Sequence, residues 1–90
     1  MKKVLLPEQL RRLTDGVSII EVTATDVVSL INELEARYNG FKSRLMKSDG
    51  SINNFVNFYV NGEDIRFING KETVLQPGDE ISIVPAVAGG

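Results

Sequence analysis

Thr25-Asp26-Val27-Val28-Ser29-Leu30-Ile31-Asn32-Glu33-Leu34-Glu35-Ala36-Arg37-Tyr38-Asn39-Gly40 is the stretch that decides the fold. Val27, Leu30, Ile31, Leu34 and Tyr38 recur at helical spacing and so share one face of a helix. Asn32, Glu33, Glu35 and Arg37 fall on the other face. Thr25 is a suitable N-cap, Asp26 stands in the first turn where the helix dipole favours an anion, and Asn39-Gly40 is a suitable stop. The spacing predicts one long helix over residues 26–39 carrying a single apolar stripe. Such a stripe reads as core, laid on one face of a sheet.

The flanking segments supply the sheet. Residues 3–6 form a short apolar strand stopped near Pro7, and Val17, Ile19, Ile20 and Val22 form a β-branched run after the Asp15-Gly16 turn. These two are expected to pair antiparallel. Past the helix, residues 41–46 add a helical turn with Phe41 and Leu45 four apart, and residues 48–54 read as an exposed loop. In residues 55–60, Val56, Phe58 and Val60 alternate with Phe55, Asn57 and Tyr59. Asn61-Gly62 turns the chain into a short edge strand over 63–67, and Pro77-Gly78-Asp79 turns it into a last strand over 80–84. The order β-β-α-β-β-β, with a crossover that sets a late strand parallel to the first, describes an α+β fold of the β-grasp type. The expectation is a mixed four- to five-stranded sheet with one long helix on one face, as a single domain over residues 1–90. Val27, Leu30, Ile31, Leu34, Val56, Phe58 and Ile83 are its expected core.

Composition narrows the chemistry. A chain of 90 residues with 42% hydrophobic and 24% charged residues suits one small globular domain, a poor host for a deep catalytic cleft. Ten basic and twelve acidic residues are interspersed, so there is no basic stripe for nucleic acid. No apolar run approaches the ~18 residues of a membrane span, and the apolar stretch after Met1-Lys2-Lys3 is too short for a leader, which points to the cytoplasm. Cysteine and histidine are both absent. That removes disulfides, thiol catalysis, the usual zinc ligands and the commonest acid–base catalyst. The acidic pairs Glu63-Asp64 and Asp79-Glu80 have no third ligand nearby in sequence and read as solvated turn charges, so no metal site is expected.

What remains is the chain end, Pro85-Ala86-Val87-Ala88-Gly89-Gly90. Two terminal glycines bury nothing, and their use is to let backbone pass where a Cβ collides. Pro85 lacks an N–H for a ladder, so the segment reads as a slim arm that leaves the domain at Val84 and ends in the Gly90 carboxylate. Such an arm fits a narrow channel in another protein. If Val56, Phe58 and Val60 face the helix, alternation places Phe55 and Tyr59 on the open sheet face as a candidate partner surface.

Three segments carry a family resemblance: Asn61-Gly62-Glu63-Asp64-Ile65-Arg66-Phe67, Leu75-Gln76-Pro77-Gly78-Asp79-Glu80-Ile81-Ser82-Ile83, and the final Pro85–Gly90 arm. Together with Leu34-Glu35-Ala36-Arg37-Tyr38-Asn39-Gly40 they resemble the ubiquitin-like sulfur carriers of the MoaD/ThiS family. The arm looks most like that of the cysteine-synthesis carriers and related MoaD-like proteins. The resemblance implies a carrier and not a catalyst. A ubiquitin-activating-like adenylyltransferase uses ATP to activate the Gly90 carboxylate, a sulfur donor converts it to a thiocarboxylate, and Pro85, Ala86, Val87, Ala88 and Gly89 enter the partner's active site. A second enzyme, a cysteine synthase or the large subunit of a molybdopterin synthase, accepts the sulfur. The resemblance implies no permanently bound cofactor, and the isolated carrier is expected to be a monomer. Two alternatives share the arm: a ubiquitin-like modifier joined to lysines through Gly90, and a small subunit of molybdopterin synthase.

Overall fold

The computed structural model describes residues 1–86. Five strands form one sheet in the order β2-β1-β5-β3-β4. They are β1 Lys2–Leu5, β2 Ile19–Val22, β3 Val56–Val60, β4 Glu63–Asp64 and β5 Glu80–Pro85. The central strand β5 runs parallel to β1 and antiparallel to β3, and the outer pairs β1–β2 and β3–β4 are antiparallel. The long helix is α2, Val27–Arg37; two short helices, α1 at Glu8–Arg11 and α3 at Phe41–Leu45, flank it in sequence. The mixed sheet and its helix are the expected β-grasp architecture.

The helical stripe is core. Val27, Leu30, Ile31 and Leu34 have no exposed surface. Opposite them the pleat presents one row from four strands, because Val4 stands beside both Ile20 and Ile81, and Ile81 beside Val60. Phe58 beside Ile83 extends this face, and Phe41 and Leu45 from α3 close one end. Full burial of such side chains contributes about 1.5–3 kcal/mol each. Val56, expected in the core, is only half-buried: it stands at the first position of β3 and packs against the core's margin. Tyr38 also departs from expectation: the helix has ended, its backbone is extended, and its ring packs edge-on against Phe41 at 6.1 Å.

Local chemistry moves several boundaries. The N-cap of α2 is Asp26, not Thr25: Asp26 Oδ1 accepts from the Ser29 amide at 2.8 Å, and the Ser29 hydroxyl accepts from the Asp26 amide at 3.1 Å. The Thr25 carbonyl instead accepts from the Leu75 amide, which ties it to the incoming loop. The segment after Pro7 is α1 followed by a tight 3₁₀ turn, and it buries Leu10. Strand β4 stops at Asp64 because that carboxylate accepts from the Arg66 amide at 2.8 Å and folds Ile65–Phe67 into a 3₁₀ turn. Asn61 and Gly62 both have positive φ, the pattern that fits a two-residue hairpin to the twist of its strands. At Gly40, φ is +103° and an added Cβ would stand 3.2 Å from Leu13, so a side chain there is both strained and crowded.

The outer edge of β2 is partly covered from α2. The Glu33 carboxylate accepts from the Thr23 and Ala24 amides, and Arg37 donates to the Glu21 carbonyl at 2.6 Å. These bonds occupy backbone groups that an open edge offers to another chain.

Candidate functional site

The tail is built on the central strand. Because β5 and β1 are parallel, both finish at the same end of the sheet, where β3 begins and α1 and α3 stand. Strand β5 continues through Pro85, which pairs with Val56, and the Ala86 amide then donates to the Phe55 carbonyl at 2.8 Å. The arm therefore does not leave the domain at Val84. The reason lies in the alternation of the ladder: if the Ala86 amide points at β3, the ring nitrogen of Pro85 points at the β1 side. There β1 has already ended, its last partner on β5 being Ser82. A proline at that place removes no hydrogen bond. Of the arm, Pro85 is thus part of the sheet and Ala86 is bonded beside it, while Val87, Ala88, Gly89 and Gly90 lie outside the described residues.

The sheet face away from α2 is mixed. The register lines up Ile19, Leu5, Ser82 and Tyr59 across β2, β1, β5 and β3. Ile19 is 53% exposed and Tyr59 is half-buried. Val84, beside Asn57, stands nearer the tail and is exposed. A charged row of Glu21, Lys3 and Glu80 borders this patch on the side away from the tail. Tyr59 lies in β3, whereas Phe55 precedes the strand and is 66% exposed beside the tail. The sequence reading missed Ile19, Leu5 and Val84 on this face. Alternation within each strand was a usable signal, but the strand order that unites them was not.

Below Pro85 lies a groove of about 390 Å³, whose walls include Pro7, Leu10, Arg44, Phe55 and Val56. Its walls come from α1, α3, the entry to β3 and the last residue of β5.

The acidic pairs are accounted for at the opposite end. Asp64 accepts both Arg66 Nε and Nη2, and the Arg66 guanidinium holds its carboxyl below the ordinary value of 3.8. Asp79 accepts from the Gln76 amide at 2.8 Å and from the Asn61 side chain at 2.9 Å, which lowers it likewise. Among the described residues no group of three or more carboxylates is placed to hold a metal ion, and no helix is long and apolar enough to cross a membrane.

A strand that delivers its C-terminal end beside an open, mixed sheet face is a geometry for presenting a tail. The profile of the ThiS family matches residues 4–90. The chain belongs to the ThiS family. It is 43% identical over 89 residues to the sulfur carrier protein CysO of Mycobacterium tuberculosis, covering 97% of this chain and 96% of that one. The crystal structure of an Amycolatopsis orientalis BexX/CysO complex contains a chain of the same fold, with TM-score 0.91, 40% identity and full coverage of both chains. Small archaeal modifier protein 3 of Haloferax volcanii is 39% identical over 64 residues, 71% of this chain and 68% of that one. As in other members of the ThiS family, the fold is that of a small ubiquitin-like carrier, and the chain works with partner proteins.

Proposed function

We infer that this ThiS-family chain is a sulfur carrier whose working group is the Gly90 carboxylate. The observation that carries the reading is the extent of the family match, which spans the domain and runs through the final glycine. The geometry of β5 supports it: the strand is held on both sides by neighbours and leads straight into the last four residues. Four residues reach at most about 14 Å when extended. The partner's reacting groups must therefore come close to the domain surface.

The chemistry follows from the state of the carboxylate. It is anionic at neutral pH, and an oxide ion is a poor leaving group. The ubiquitin-activating-like partner joins Gly90 to AMP from ATP and releases pyrophosphate, so that the carbonyl carbon bears AMP as leaving group. A sulfur donor attacks that carbon, AMP departs, and a thiocarboxylate remains. A chain without cysteine thereby carries sulfur. Gly89 and Gly90 keep the arm thin at the point of reaction. ATP is the partner's substrate, the carrier holds no permanent cofactor, and the reaction takes place in the cytoplasm. Likeness to CysO favours cysteine synthesis over molybdopterin as the destination. The test is intact mass spectrometry after incubation with the activating enzyme, ATP and a sulfur source. One oxygen exchanged for sulfur at Gly90 is expected, and an unchanged mass overturns the reading.

The likeness to small archaeal modifier protein 3 favours a second use of the same activated terminus, an isopeptide bond to a lysine of another protein. Purification under denaturing conditions separates the two: a ladder of heavier conjugates marks a modifier, and its absence a carrier alone.

A further inference from the structure

The groove beneath Pro85 lies on a different surface from the open sheet face. Of the wall residues named above, Arg44 alone carries charge. It is exposed on α3, and among the described residues no acidic group pairs with it. Phe55 stands at the same groove, two-thirds exposed, although a lone surface aromatic is costly to leave in water. Arginine and large aromatic residues beside a hollow of mixed lining, apolar at Leu10, Val56 and Pro85 and polar at Gln9, Ser43 and Asn53, are the kinds of group that dominate the energy of protein interfaces.

Position adds to this. Pro85, the groove's wall, is the last strand residue before the tail. An enzyme that draws in the last four residues must cover the surface at their root. The open sheet face offers a second surface, while the sheet edges are narrower, since Glu33 and Arg37 cover part of the β2 edge and β4 has two residues. Charge selects the kind of partner. Residues 8–15 and 41–45, at the tail end, hold four cations (Arg11, Arg12, Lys42 and Arg44) against two acids, Glu8 and Asp15. The whole chain, by contrast, has a net charge of −2.

We propose that the tail-accepting enzyme seats an acidic surface segment in this groove, its carboxylate paired with Arg44 and an apolar neighbour packed on Phe55. This rests on the carrier reading and adds to it the surface by which the partner is chosen. An ion pair at the rim acts chiefly on encounter, so it weakens with salt.

The test measures sulfur loading by intact mass with an adenylating enzyme of the ubiquitin-activating type from the same organism, on the full chain, at low and high salt. Arg44→Glu raises the KM for the carrier about tenfold at low salt with kcat nearly kept, and Arg44→Lys restores most of the loss. Phe55→Ala raises KM without changing the salt dependence. Lys71→Glu, an exposed cation away from the groove, changes KM less than twofold, as a general charge effect of about that size allows. Melting curves check that each variant is folded. If the parent is loaded and Arg44→Glu is loaded with the same KM at low salt, the groove is not the docking site and the carrier reading stands. If the parent is not loaded, both readings fall.

Discussion

The Glu35 carboxylate accepts a hydrogen bond from the Lys42 amide at 2.8 Å and another from the Gly40 amide at 3.2 Å. The last turn of α2 thereby caps the first turn of α3, the helix that carries Arg44. Gly40 itself has no side chain with which to cap. Glu35→Ala leaves these amides to water and should cost about 0.5–2 kcal/mol, the usual range for a lost cap. At about 4–8 °C per kcal/mol for a domain of this size, the loss is visible in a melting curve. Glu35→Gln, which retains an acceptor, should recover part of it.

Leu34 has no exposed surface and lies in the stripe that α2 lays on the sheet. Leu34→Ala should lower the unfolding free energy by about 2–5 kcal/mol, read from a denaturant titration. A loss under 1 kcal/mol, well below that range, contradicts the packing described.

Stability should be insensitive to pH across the neutral range and fall in acid. There is no histidine to titrate near neutrality. Asp26 is lowered by the Ser29 hydroxyl and amide, Asp64 chiefly by Arg66, and Asp79 by the Gln76 amide and Asn61. A carboxyl with a lowered folded-state pKa stabilises the protein above its unfolded value, 3.8 here, and the gain is lost as pH falls through the folded value. Melting temperatures measured down a pH series should therefore drop mainly below about pH 4. Asp64→Asn should reduce the parent's slope in that window while leaving the neutral plateau flat.

The helix and its stripe were legible because burial writes a period into the sequence, and Val27, Leu30, Ile31 and Leu34 obey it. Thr25 and Asp26 are adjacent and both able to cap, and the choice is made by the tertiary bond from Leu75 to the Thr25 carbonyl. Asp64 ends β4 through a bond from its own side chain to a nearby amide, and no periodicity records such a bond. Pro85 looked like a strand breaker because its missing donor was counted without knowing which neighbour that donor would face. The groove at Arg44 joins four segments remote in sequence, so no local pattern announces it.

Tyr59 shares its register row with Ser82 and Leu5 on the face away from α2 and is half-buried. Tyr59→Glu places a charge in the patch that includes Ile19 without entering the core. Binding to the activating enzyme, followed by titration calorimetry, should weaken while the melting temperature stays close to the parent's. A large loss of stability with binding intact would assign Tyr59 to packing.

In the proposed carrier, Gly90 supplies the carbon that reacts, and Gly89 the thinness next to it. Deleting Gly90 leaves Ala86 pinned to Phe55 and every core residue in place, so the melting curve should match the parent. Activation should nevertheless be lost, because the truncated carboxylate stops one residue short, about 3.3–3.6 Å from its target. Gly89→Val keeps the length but adds a β-branched side chain, which widens the arm and restricts its backbone. It too should block loading in the mass assay without altering the fold. Should the Gly90 deletion be adenylated and loaded as well as the parent, sulfur is carried elsewhere and the terminal carboxylate is not the working group.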